Sequence, residues 1–164
     1  MIRILAFLLF VTPALADDWI IGRATVVDGD TIAIRGQRIR LLNMDAPESD
    51  QLCFDPKPWR CGQRASLALA DFIGRQTVTC DPRGKGFYRR TLAHCYVDGI
   101  DVGAWMVRNG WAVAFVRYGR EYLPQERRAR GRKAGMWRGT AIDPTKYRRC
   151  RKASGKIMEC SKNM

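Results

Sequence analysis

The sequence predicts an α+β fold, mainly β: a small five-stranded barrel with about three helices packed outside it. Three observations carry this. Short runs rich in valine, isoleucine and leucine follow one another near the start, separated by turn residues. The apolar period then changes from two to 3.6 over a dozen residues. Strand character returns after that, and further helical stretches come late.

The elements follow in order. Ile20 to Val27, Thr31 to Arg35 and Arg38 to Asn43 read as three strands, with Asp28-Gly29 and Gly36-Gln37 as the turns between them. Their compact spacing suggests an antiparallel meander. Ser49 to Arg60 contains Pro56, Pro58 and Cys53, which reads as a loop stapled by cysteines. Gln63 to Gly74 places Ala65, Ala68, Leu69, Phe72 and Ile73 on one helical face, and Gly74 is a stop signal. Thr77 to Cys80 and Thr91 to Val97 are strands again, flanking a basic loop from Asp81 to Arg90. Asp101 can cap a second helix with Val102, Trp105 and Met106 facing inward and Gly110 closing it. Trp111 to Val116 is apolar and extended. Glu121 to Ala134 reads as a third helix with a thin apolar stripe, interrupted by Gly131. From Asp143 onward the chain is polar and basic and reads as irregular. This order suits a Greek-key barrel, and the OB-fold is the commonest small barrel of that kind.

Residues 1–16 read as a secretory signal peptide. Arg3 supplies a positive start, Ile4 to Val11 is apolar, and Ala14-Leu15-Ala16 is a small-x-small cleavage site. The apolar run is well short of the roughly 20 residues a membrane span needs. The expected organisation is thus a leader removed after Ala16, a barrel domain over residues 17–140 and a basic tail over 141–164, in a periplasmic or secreted protein not inserted in a membrane.

All six cysteines lie beyond the leader, and an even count in an exported chain points to disulfides. Locality suggests Cys53–Cys61, Cys80–Cys95 and Cys150–Cys160, the second pair on strands that could lie side by side. A zinc site lacks its usual spacing: there is no C-x-x-C, and His94 is the only histidine. The 29 Lys and Arg against 16 Asp and Glu give a net charge of +13. Losing the leader removes one arginine and no acid. Arg127, Arg128, Arg130, Arg132, Lys133, Arg138, Lys146, Arg148, Arg149, Arg151 and Lys152 crowd the last third, an excess that draws polyanions.

The sharpest signal is a pair of acidic turns with arginine between them. Asp28-Gly29-Asp30-Thr31 follows the first strand, and Asp45-Ala46-Pro47-Glu48 follows the third. Asp30 and Asp45 offer carboxylates to a hard cation, with the Ala46 carbonyl as a further oxygen donor. Glu48, held by the stiff Pro47 turn, can accept a proton from water. Arg40 can clamp a phosphate and offset charge in a pentavalent transition state, and Arg90 is the candidate for a second clamp. Taken singly, Asp30 or Asp45 could merely close a turn. Arg40 could pair with a buried carboxylate, and Arg90 could be one more basic loop residue.

These residues resemble the staphylococcal nuclease (thermonuclease) family. The likeness runs through Val26-Val27-Asp28-Gly29-Asp30-Thr31, then Arg40-Leu41-Leu42-Asn43-Met44-Asp45-Ala46-Pro47-Glu48, then Tyr88-Arg89-Arg90-Thr91-Leu92-Ala93. Trp105 to Ala112, Glu126 with Ala129, and Gly135-Met136-Trp137 continue it, so it spans roughly Ile20 to Trp137. The resemblance implies an OB-fold barrel and calcium-dependent phosphodiester hydrolysis of DNA or RNA. It implies Asp30, Asp45 and the Ala46 carbonyl as Ca2+ ligands, Arg40 and Arg90 on the scissile phosphate, and Glu48 as general base. Three departures stand out: Ala46 replaces a frequent threonine, Arg89 stands where a glycine usually precedes the catalytic arginine, and the Ser49–Arg60 loop is stapled by a cysteine pair. The expected protein is a monomeric nuclease of little sequence preference. The alternative is an OB-fold module that grips nucleic acid or an acidic polysaccharide without cutting it.

Overall fold

The computed structural model describes residues 19–86 and 90–162. The expected leader, and Tyr88 and Arg89 of the family-like motif, fall outside them. In chain order the elements are β1 (Ile20–Asp28), β2 (Thr31–Ile34), β3 (Gln37–Leu41), β4 (Met44–Asp45), β5 (Cys53–Asp55), β6 (Lys57–Trp59), α1 (Cys61–Ile73), β7 (Thr77–Lys85), β8 (Thr91–Val97), β9 (Ile100–Asp101), α2 (Val102–Arg108), β10 (Val113–Ala114), α3 (Leu123–Gly131), α4 (Pro144–Ser154) and α5 (Ile157–Lys162). A single 3-10 turn, Gly135–Arg138, lies between α3 and α4.

The barrel closes on itself. β1 pairs antiparallel with β2 on one side and β7 on the other, and β2 pairs antiparallel with β3. β8 pairs antiparallel with β7 and returns to lie parallel to β3. That last pairing turns an open five-stranded sheet into a mixed barrel with β9 as an extra strand, and it covers both edges. Alternation along the strands sends Ile32, Ile34, Ile39, Leu41, Val78, Ala93 and Val97 inward, where they are nearly or fully buried. α1 lays Ala65, Leu69 and Ile73 on this core, and α2 adds Val102 and Met106. Asp101 caps α2 through the Ala104 amide, as its sequence position suggested.

Several boundaries differ from the sequence reading. The β2–β3 turn falls at Arg35-Gly36, both with positive φ, a combination whose twist matches a tight hairpin. β7 runs on to Lys85, because its far half pairs with β8 through a bulge between Pro82 and Gly84. The Ser49–Arg60 loop contains the short β5–β6 hairpin. Of Trp111 to Val116, only Val113 and Ala114 form a strand, since β4 offers just two partners.

The larger correction is at the end of the chain. Residues 143–162 are not irregular: they form the helices α4 and α5, so the described residues hold five α-helices rather than about three. Asp143 accepts hydrogen bonds from the Thr145 and Lys146 amides, Pro144 starts α4, and Gly155 ends it in the left-handed region. Caps and a small local cluster of Ile142, Tyr147 and Cys160 replace the broad apolar stripe that the sequence lacks there. All three expected disulfides are present, and Cys80 and Cys95 are direct cross-strand partners.

Candidate active site

The frame of the site is the mouth of the β1–β2–β3 meander. The Asp30 amide donates to Asp28 Oδ1 at 3.1 Å, which folds the first acidic turn. Thr31 Oγ1 donates to Asp30 Oδ1 at 2.8 Å and fixes that carboxyl's rotation. Across the β2–β3 ladder Thr31 lies opposite Arg40, so strand register alone brings Arg40 to the Asp30 turn. Arg40 Nη1 is 2.6 Å from Asp30 Oδ2, and Nη2 is 2.8 Å from Asp45 Oδ1. One guanidinium thus holds both carboxylates, with Asp45 five positions after Arg40 along the chain.

Asp45 is fully buried and sits on β4, opposite Val113 of β10. The two acidic turns touch: a Cβ on Gly29 would lie 2.7 Å from the Ala46 Cβ and 3.3 Å from the Ala65 Cβ. Only glycine permits that approach. A second close approach sets Glu48. A Cβ on Gly62, at the start of α1, would lie 1.7 Å from the Glu48 carbonyl oxygen. The Glu48 amide donates to Gln51 Oε1, and buried Gln51 donates in turn to the Ile142 carbonyl at 2.7 Å. Glu48 therefore stands on a braced turn with its side chain 41% exposed.

These groups border a cavity of roughly 630 Å3. Asp30, Arg40, Ala46, Glu48 and Arg90 all line it, together with Phe115, Arg117 and Tyr118. Asp45 lies just beneath, reached through Arg40. Arg90 stands where β8 begins, beside the parallel β3–β8 contact, and its buried Nε has no hydrogen-bond partner among the described residues. These five sequence candidates thus meet at one opening.

Electrostatics at the opening are tense. Burial lifts the Asp30 carboxyl to about 7. Arg40 opposes that rise, while Asp28 and Asp45 add to it, so the one shared guanidinium does not fully offset the lost hydration. The donors present, two carboxylates and a carbonyl on stiff turns, suit a hard divalent cation that keeps part of its water shell. Among the described residues no three Asp, Glu, His or Cys side chains stand together as a ready metal cluster.

Sequence reasoning missed Arg148. It reaches in from α4 and donates to Asp45 from Nη2 at 2.7 Å and from Nη1 at 3.1 Å, and to Glu48 from Nη1 at 2.7 Å. Those bonds raise the guanidinium's pKa further, against the opposing effect of its own burial. Thr145 Oγ1 donates to Asp45 Oδ2 at 3.3 Å, and Lys152 lines the same cavity. A signal was present: Asp143-Pro144 marks a helix start, and Thr145, Arg148 and Lys152 then fall three and four residues apart on one face.

The basic cluster of the last third is also not one uniform footprint. Arg130 pairs with Glu126 and lies 3.6 Å over the Trp137 ring. Arg138 stacks on Trp59, Arg132 donates to the Arg108 carbonyl, and Arg151 pairs with Asp50. These hold the fold together before they hold any polymer.

Comparison with known proteins matches residues 38–139 to the family model described as staphylococcal nuclease homologue. The chain belongs to the staphylococcal nuclease family. Its relatives in that family carry mixed names. It is 38% identical to the succinoglycan biosynthesis protein ExoI of Rhizobium meliloti (strain 1021) over 82% of this chain and 73% of that one. It is 34% identical to the protein ParB of Escherichia coli, covering 76% of each. It is 32% identical to a micrococcal nuclease of Shigella flexneri over 77% of this chain and 79% of that one. The matched residues include Arg40, the Asp45–Glu48 turn and Arg90, whereas the Asp28–Thr31 turn, α4 and α5 lie outside them.

Proposed function

We propose that the protein is an exported nuclease that hydrolyses phosphodiester bonds of DNA or RNA with a divalent cation, calcium being the first candidate. The observation that carries this reading is the convergence of Asp30, Arg40, Glu48 and Arg90 on one open cavity, with Asp45 beneath. A pure binder of polyanions gains nothing from Asp28, Asp30 and Glu48 lining its cavity. The nuclease names among the relatives point the same way.

Asp30 and Asp45, with the Ala46 carbonyl, would hold the ion. When bound, the ion polarises a phosphodiester oxygen and lowers the barrier to attack. Glu48, on its braced and partly exposed turn, orients a water and takes its proton. Arg90 and the outward edge of Arg40 hold the phosphate oxygens and offset the charge that builds up on them. Phe115 and Tyr118, in edge-on contact at the rim, offer a face for a base. Nothing in this set reads a base edge, which suits cleavage of little sequence preference.

Export rests on two features: the leader-like first sixteen residues, and three disulfides of the kind that persist in an oxidising compartment. Among the described residues no helix is long and apolar enough to cross a membrane.

A second reading has two observations in its favour. Both Asp45 oxygens are already engaged by arginines, and a relative is named for succinoglycan biosynthesis, so a binding module for an acidic polymer is the rival. Purified mature protein incubated with plasmid or RNA separates the two. Fragments in calcium and none in EDTA are expected. Retardation on the gel without fragments under every condition would favour the binder.

A further inference from the structure

The loading of Asp45 is more than a buried acid needs. Oδ1 accepts from Arg40 Nη2 at 2.8 Å and from Arg148 Nη1 at 3.1 Å. Oδ2 accepts from Arg148 Nη2 at 2.7 Å and from Thr145 Oγ1 at 3.3 Å. A carboxylate has about four lone-pair sites, and all of them are taken. The same Arg148 Nη1 also reaches Glu48 Oε1 at 2.7 Å. One guanidinium therefore bridges the acid assigned to the ion and the acid assigned to the water. It comes from a helix outside the residues that match the family model.

We propose that Arg148 is an internal cation that competes with the divalent ion for Asp45 and Glu48. The inference rests on the nuclease reading above and names a control on that site. With no ion bound, the guanidinium offsets part of the charge of the two carboxylates and shares with Arg40 the pairing of buried Asp45. Ion binding requires Asp45 to release Arg148, because the four acceptor sites of its carboxylate are already filled. The side chain has somewhere to go. It is 34% exposed on the wall of the cavity that Arg40 and Arg90 also line, so a phosphate placed there can take it up. Ion and polymer binding are then coupled: a polymer phosphate that engages Arg148 frees Asp45 and raises affinity for the ion, and the reverse holds equally.

The anchoring of α4 keeps the competitor in reach. Tyr147 donates to Asp50 Oδ1 at 2.9 Å, Arg151 Nη2 lies 2.9 Å from Asp50 Oδ2, and the Leu52 amide donates to Ser161 Oγ at 3.1 Å. These contacts fix the α4–α5 helix pair to the segment that carries Glu48, and none of them engages the Arg148 guanidinium.

Calorimetric titration of the full mature chain with calcium chloride, no nucleic acid present, tests this. Arg148→Ala should bind calcium at least tenfold more tightly than wild type. Lys152→Ala removes an equal charge from the same cavity and should change affinity less than threefold. Arg148→Met keeps the aliphatic stem and should match Arg148→Ala, which covers the case that alanine loosens α4. Measurable but equal affinities in wild type and both Arg148 variants overturn the inference and leave the nuclease reading standing. So does Lys152→Ala matching Arg148→Ala, since the effect is then the general field of the cavity. Absence of calcium binding in every form overturns the ion in the nuclease reading, and this inference with it.

Discussion

Two regions deliver charged groups to the same opening, and they are built differently. The meander that carries Asp30 and Arg40 is locked by backbone ladders inside a closed barrel. Its side chains meet because Thr31 and Arg40 are register partners, and no slip is possible without turning Ile32 and Ile39 out of the core. The α4–α5 hairpin that carries Arg148 has a three-residue apolar cluster, one local disulfide and a set of side-chain bonds to residues 45–52. Partly exposed ion pairs such as Arg151–Asp50 are worth about 0–1 kcal/mol each. The barrel thus fixes geometry, while the hairpin is a lightly held cover whose most deeply placed contact is the one at the site.

Substitutions in the two regions should therefore fail in different ways. The largest effect is expected from Arg40→Ala, which leaves Asp30 and Asp45 without their shared partner. A loss of about 3 kcal/mol in urea unfolding is expected, from breaking a largely buried pair, with turnover reduced at least a thousandfold. Unfolding midpoints equal to wild type would mean that Arg148 alone can neutralise Asp45, which would shift weight from barrel to hairpin. Gly62→Ala comes next. Its new methyl collides with the Glu48 carbonyl, so the turn must move, and kcat should fall on the order of 100-fold while the barrel still melts cooperatively. The mildest change is Cys150→Ser with Cys160→Ser. Its ten-residue spacing makes the disulfide worth roughly 2–3 kcal/mol at most by loop entropy, and that loss should stay local. Amide exchange should accelerate across residues 142–162 and remain slow in β1, β2, β3, β7 and β8. Uniform acceleration through the barrel would show that the two regions unfold as one unit.

The same contrast explains what could be read from the chain alone. The barrel was legible because its strands are short, apolar and punctuated, and because Asp-Gly and Asp-Ala-Pro-Glu turns at fixed spacing leave few ways to fold. Asp30, Arg40, Ala46, Glu48 and Arg90 were placed at one opening by the same logic, as was the Cys80–Cys95 pairing across β7 and β8. The hairpin was not legible as structure. Its helices have almost no apolar face, so periodicity gives no signal, and they are set by Asp143, Pro144 and Gly155 at the ends. Arg148 looked like one basic residue among eleven. What distinguishes it is a contact with residues about 100 positions away, which no local pattern encodes. Gly62 was silent for a similar reason: its role is a close approach to the Glu48 carbonyl, invisible until the two turns are in place.

The central claim is that the Glu48 carboxylate, braced by Gly62 and Gln51 beside an ion held on Asp30 and Asp45, accepts the proton from the attacking water. Steady-state cleavage of single-stranded DNA by Glu48→Gln, in saturating calcium and over a range of pH, tests it most directly. Glutamine still accepts a hydrogen bond from Arg148 and keeps the turn, so folding should match wild type while kcat in saturating calcium falls about a thousandfold. Turnover within a few-fold of wild type, with the pH profile unchanged, would contradict the account.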